Sequence, residues 1–142
     1  MPTEDEINEI SGKIIGCAIT VHRRIGPGCL ESAYTPCLAL EFCKAGLDFR
    51  REVSLTLRYD DLVIPRAYVA DFIVEDVVVI EIKAVTATTQ RDRRQLQTYL
   101  EVHGAPLGLV LNFGARMIVD DIIRAVNNFP TGTRPQPITA AL

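Results

Sequence analysis

At Arg51 the hydrophobic period of this chain changes. Upstream, Ile7, Ile10, Ile14, Ala18, Val21 and Ile25 recur every three or four positions, the spacing of one helix face. Downstream, Val53, Leu55, Leu57 and Tyr59 alternate with Glu52, Ser54, Thr56 and Arg58, the two-residue period of a half-buried strand. A helix stripe and a strand face each need something to bury against, so the switch predicts helices packed on a sheet.

The remaining signals divide the chain further. Thr3 and Glu6 have capping-box spacing, and a first helix is expected from about Glu4 to Arg24. Gly26-Pro27-Gly28 breaks it, Leu30, Tyr34, Leu38 and Phe42 carry a second, and Gly46 supplies its stop. Pro36 conflicts with that second helix. A proline past the first turn removes a backbone bond and clashes with the carbonyl four residues back, at about 3 kcal/mol, which predicts a kink or a separate turn before it. After Asp60-Asp61 the pattern predicts a return at Val63–Ile64 and strands at Tyr68–Val74 and Val77–Lys83, with Glu75-Asp76 between them, as an antiparallel meander. Thr89 caps a helix expected to reach about Val102, Leu107–Leu111 reads as a buried strand, and Asp120–Asn128 as a short helix. The expected class is α/β, an α+β sandwich with a central mixed sheet flanked by helices. One domain is expected over residues 1–129. Residues 130–142, with Pro130, Gly132, Pro135 and Pro137, read as a loosely attached tail.

Composition narrows the function. A chain of 142 residues buries roughly 68 to 70% of its unfolded surface, so it needs no metal or disulfide to fold. Fifteen Lys and Arg against eighteen Asp and Glu give net charge −3, which argues against coating nucleic acid by bulk attraction. Any such recognition would be local. No apolar run approaches the roughly 18 to 20 residues of a membrane span, and the acidic start Met1-Pro2-Thr3-Glu4-Asp5-Glu6 is unlike a secretory signal, so a cytoplasmic protein is expected. Cys17, Cys29, Cys37 and Cys43 form no C-x-x-C pair and read as buried, reduced thiols. His22 and His103, at expected helix ends, read as surface or capping residues.

The chemistry concentrates in Ala70-Asp71-Phe72 and Glu81-Ile82-Lys83. Positions 81 and 83 share a strand face. A strict two-residue loop at Glu75-Asp76 would turn Asp71 away from Glu81, whereas a three-residue loop or a bulge brings the two opposite or diagonal. The second register is expected, because it also gathers Phe72, Val74, Val78, Ile80 and Ile82 on the other face as a continuous apolar surface. Two carboxylates so placed suit a hard cation such as Mg²⁺, and with Lys83 beside them they suit phosphodiester hydrolysis. The same residues on an exposed strand could equally form a solvated face.

Asp71 with Glu81-Ile82-Lys83 after an amphipathic helix resembles the PD-(D/E)XK nuclease superfamily, here with Ala70 where a proline is usual. More narrowly, Gly28-Cys29-Leu30-Glu31-Ser32-Ala33-Tyr34 resembles the name motif of the GxxExxY protein family. The likeness extends through Val21-His22-Arg23, Gly26-Pro27-Gly28, Tyr68 to Asp71, Glu81 to Val85, Gln95 to Leu100 and Leu111-Asn112-Phe113, roughly residues 5 to 128. It implies a restriction-endonuclease-like core, with Glu31, Asp71 and Glu81 as carboxylate ligands and the Ile82 carbonyl as a further oxygen. Lys83 would be the catalytic lysine and Mg²⁺ or Mn²⁺ the cofactor. Gln95 and Tyr99 resemble the Q-x-x-x-Y motif of RecB-like and lambda-exonuclease-like branches, and with Tyr34, Arg91 and Arg94 they are the expected substrate contacts. The chain departs from the family at Asp92-Arg93-Arg94, where members more often have His-Glu-Ala, and at Pro36, which stands where a helix-compatible acid is usual.

Two functions compete. One is a Mg²⁺-dependent nuclease acting on DNA ahead of RNA. The other is a non-catalytic nucleic-acid- or protein-binding module that keeps the fold, with a homodimer or a protein partner open in either case. A hydrolase of small phosphoesters shares the same metal chemistry.

Overall fold

The first helix starts where its cap places it. The computed structural model describes residues 1–130, so beyond Pro130 the expected tail lies outside the described residues. Thr3 Oγ1 accepts from the Glu6 N–H at 3.2 Å and Glu6 Oε2 accepts from the Thr3 N–H at 3.2 Å, the reciprocal bonds of a capping box. Helix α1 (Glu4–Ile25) then runs to Gly26, whose φ of 79° lies in the left-handed half of backbone space that glycine tolerates.

Helix α2 (Glu31–Lys44) runs on through Pro36, so of the two outcomes expected there, a kink or a separate turn, the separate turn does not form. Ser32, whose carbonyl loses its donor, and Pro36 itself are both exposed, so water can take up the missing bond. Tyr34, Leu38 and Phe42 meanwhile stay together on the buried face.

Five strands follow: β1 (Phe49–Tyr59), β2 (Leu62–Val74), β3 (Val78–Lys83), β4 (Leu107–Asn112) and β5 (Ile122–Val126). They lie side by side in chain order. β3 and β4 are parallel, joined by helix α3 (Gln90–His103), and every other pairing is antiparallel, which makes the sheet mixed as expected. The two return segments read from the sequence are one strand, β2, whose pairing with β1 is irregular between Leu55 and Leu57.

The expected helix over Asp120–Asn128 does not form. A single 3₁₀ turn at Ile118–Asp120 leads instead into β5. Ile123 and Ala125 are buried while Arg124 and Val126 are exposed, a period of two, and β4 offers a ladder on which Ile122, Ile123 and Val126 fit as β-branched strand residues. Pairing with an existing strand outweighs the weak helical pattern over Asp120–Asn128.

Helices lie on both sheet faces. Ile14, Ala18, Tyr34, Leu38 and Phe42 of α1 and α2 pack on Phe72, Val74, Ile80, Ile82 and Leu109. On the opposite face Leu96, Tyr99 and Leu100 of α3 pack on Ile73, Val79, Val110 and Ile123. Of the four cysteines expected to be buried, only Cys17 is; Cys29 and Cys37 are half-buried, and Cys43, in the last turn of α2, is exposed. This is an α+β architecture with a central mixed sheet, consistent with the restriction-endonuclease-like core.

Candidate active site

The turn between β2 and β3 sets the register. Glu75 and Asp76 both have positive φ, 53° and 55°, and the Val77 N–H closes on the Val74 carbonyl at 3.0 Å. Val77 is one residue more than a two-residue loop needs, so the ladder pairs Val74 with Val78 and Phe72 with Ile80. Continued by one step, that register sets Asp71 opposite Glu81.

The strands do not continue as an ordinary ladder there. The Asp71 N–H donates to Glu81 Oε1 at 3.0 Å, and the Ile82 N–H donates to Asp71 Oδ2 at 2.7 Å. Each carboxylate thus uses one oxygen on the neighbouring strand's main chain and keeps the other. Asp71 is also where the pleat of β1 and β2 resets. Phe72 and Val74 join the core under α1 and α2, whereas Ala70, two residues before Phe72, belongs to the core under α3 along with Leu55. Opposite Asp71, Glu52 takes φ 50°, between the paired positions Arg51↔Phe72 and Val53↔Ala70. A bulky non-glycine residue in that region marks local strain, which clusters at functional sites.

The electrostatics follow from burial. Removal from water pushes the Glu81 carboxyl from its ordinary 4.5 up to about 8, with the Asp71 charge adding to the rise. Burial also raises Asp71; the Ile82 N–H and Lys83 oppose the rise, and the charges of Glu31 and Glu52 reinforce it. Tyr99 is pushed up to about 12 by burial, then by Glu81 and Asp71. The site is therefore a cluster of acidic groups whose charged forms burial disfavours, with Lys83 acting against the rise at both. Two crowded carboxylates of this kind are a hard-oxygen donor set that a divalent cation and its waters would relieve.

Glu31, the first residue of α2, acts on both carboxylates through its charge, yet among the described residues no three His, Cys, Asp or Glu side chains come close enough to enclose one metal ion. Gln95 Nε2 donates to the Tyr99 hydroxyl at 3.1 Å, joining the two residues of the Q-x-x-x-Y spacing. Arg91 and Arg94 are exposed on the first turns of α3. Tyr34 is not presented to a ligand. It is fully buried, its ring stacks on Phe113 at 4.6 Å, and its hydroxyl donates to the Gly26 carbonyl and accepts from the Cys29 N–H. It fastens the Gly26–Cys29 turn that leads to Glu31. His22, expected at the surface, is buried, and its Nε2 donates to the Ala115 carbonyl at 2.8 Å. His103 ends α3 as expected and meets Asp76 at 3.0 Å.

Four residues that the sequence reading left without a role support the site. Glu52 adds its charge opposite Asp71. Asn112, fully buried at the end of β4, accepts from the Val85 and Gly114 N–H groups and donates to the Val85 carbonyl and Asp121 Oδ2. Asp121 in turn accepts from the Thr88 N–H and hydroxyl. Burial alone would raise the Asp121 carboxyl, but the bonds from Thr88 and Asn112 together hold it below its ordinary value. This network anchors the loop between Lys83 and α3. An asparagine closing the apolar run Leu107–Leu111 was the available signal. Asp92, the fourth, was signalled by the Thr89-x-x-Asp92 cap spacing.

A family model described as the PD-(D/E)XK nuclease superfamily matches residues 8–125. No curated protein and no solved structure matches the chain.

Proposed function

The chain belongs to the PD-(D/E)XK nuclease superfamily, and from that premise we propose that it is a metal-dependent nuclease hydrolysing phosphodiester bonds of nucleic acid, DNA ahead of RNA. The observation that supports the reading is the reciprocal pair of bonds that ties Asp71 and Glu81 to each other's strands, with Lys83 two residues beyond Glu81 on β3. Asp71 and Glu81 would hold Mg²⁺ or Mn²⁺, with the Ile82 carbonyl and Glu31 contributing oxygens directly or through water. Such an ion would supply a water of lowered pKa and neutralise charge developing on the phosphate. Lys83 would offer its ammonium to that same charge. Gln95 and Tyr99 would hydrogen-bond the substrate, and Arg91 and Arg94 would contact flanking phosphates without reading sequence. Tyr34 acts through the turn it fastens. The Gly28–Tyr34 motif supports the narrower GxxExxY family. Residues 1–129 are proposed as the single domain that does this, working in the cytoplasm. No described helix is long and apolar enough to cross a membrane.

A second reading, a binding module that keeps the fold without the chemistry, is favoured by the lack of a third ligand close to Asp71 and Glu81 among the described residues. One assay separates them. Wild-type protein and Lys83→Ala, purified identically, are incubated with labelled single-stranded DNA, duplex DNA and RNA in Mg²⁺, Mn²⁺ or EDTA. Cleavage by wild type alone, abolished by EDTA, is the expected result and ranks the substrates. Cleavage by neither protein, or equally by both, would overturn the nuclease and favour the module.

A further inference from the structure

Lys83 extends from the end of β3, two residues beyond Glu81, on a flexible four-carbon stem. The nearest gain for its ammonium would be to fold onto the buried Asp71–Glu81 pair. It does not. Among the described residues, the acidic side chain within ion-pairing distance of Lys83 is Asp92, with Nζ 3.7 Å from Oδ1. The two side chains are only 24% and 18% exposed, so the pair is shielded from much of the screening that weakens surface ion pairs.

Asp92 is itself fixed. Its Oδ2 accepts from the Thr89 N–H at 2.9 Å and from the Thr89 hydroxyl at 3.4 Å, and its own N–H donates to Thr89 Oγ1 at 3.4 Å. These bonds form the capping box of α3, so the carboxylate cannot swing away without opening the helix's first turn. One oxygen holds the helix end and the other faces the lysine. On the metal-dependent reading above, we infer that Asp92 is a positioning residue that holds Lys83 off the Asp71–Glu81 pair and so keeps those carboxylates open to a cation. It also ties the position of Lys83 to the helix that carries Gln95 and Tyr99.

The test measures Mn²⁺ binding by calorimetry, with no nucleic acid present. Asp92→Asn keeps an acceptor for the Thr89 N–H but loses the charge. It is expected to weaken Mn²⁺ binding roughly tenfold, equivalent to about 1.4 kcal/mol, as Lys83 collapses onto the site. Asp92→Glu, which keeps both charge and cap chemistry, is expected to restore the affinity, and Asp92→Ser serves as a second neutral variant should Asp92→Asn fold poorly. The deciding comparison is made in a Lys83→Met background, where neutralising Asp92 is expected to change Mn²⁺ affinity little, because no ammonium remains to be held. An equal loss in both backgrounds would show that Asp92 acts only through its field and would overturn the inference, as would unchanged binding in Asp92→Asn. Wild-type protein that binds no Mn²⁺ would overturn the metal reading and this inference together, a result separable from intact binding that ignores Asp92.

Discussion

Asp71 and Glu81 crowd two carboxylates into one partly dry space, and that has a cost in the metal-free protein. The Glu81 proton is held more tightly in the folded chain, about 8, than in the unfolded one, near 4.5. For an acid raised in this way, stability is unaffected below the unfolded value, falls as pH rises through that window, and levels off above it. Denaturant unfolding in EDTA at about pH 5 and about pH 8.5 is expected to show a loss of a few kcal/mol, at about 1.4 kcal/mol for each tenfold difference in proton affinity. Glu81→Gln removes the titrating group and is expected to abolish most of that loss; an unchanged pH slope would mean that Glu81 is not the strained group. The carboxylates, the lysine and the Q-x-x-x-Y pair were all legible as residue types in the sequence. The burial of Tyr34 and His22 was not, because it depends on Phe113 and Ala115, about eighty and ninety residues away in the chain.

At the scale of elements, local chemistry decided most of the outcome. Helices α1 and α3 begin at the capping boxes that Thr3 and Thr89 announce, and end at Gly26 and Gly104. Helix α2 tests the rule from the other side, since it tolerates Pro36 on its exposed face at the expense of one backbone bond. Pro36→Ala is therefore expected to stabilise the protein by about 1 to 2 kcal/mol. The full difference of about 3 kcal/mol in helix propensity is reduced by the extra freedom alanine gives the unfolded chain. A urea midpoint that does not rise would show that the helix has already accommodated the proline. β5 lay beyond this kind of reading. Five residues with two isoleucines and a valine carry too weak a period to exclude a helix, and only the open edge of β4 settles them as a strand.

Across the whole molecule, the site is assembled where the sheet's two faces meet. β2 delivers Asp71 at the point where its side chains change sides, and β3 delivers Glu81 and Lys83. The end of β4 then clasps the loop that follows them: Phe113 N–H donates to the Lys83 carbonyl at 2.8 Å, and Asn112 binds Val85 through both its N–H and its carbonyl. Asn112→Ala would strand these buried groups, each costing about 1 to 3 kcal/mol, so a loss of about 3 kcal/mol or more is expected in denaturant unfolding. Faster hydrogen exchange at the Val85 amide should accompany it, and a loss under about 1 kcal/mol with Val85 still protected would show that the clasp is held by other bonds. Local forces suffice for the capped helices, the two-residue period of the strands, and the odd register implied by an apolar face at Phe72, Val74, Val78, Ile80 and Ile82. Contacts between partners distant in the chain came only with the fold. Glu52 meets Asp71 because β1 pairs with β2, Asp92 meets Lys83 because α3 packs on the sheet's second face, and Asn112 reaches Val85 because β4 lies parallel to β3. Spacing along a chain fixes which side chains share a face, but the distance between faces is set by packing, which sums contacts over the whole chain.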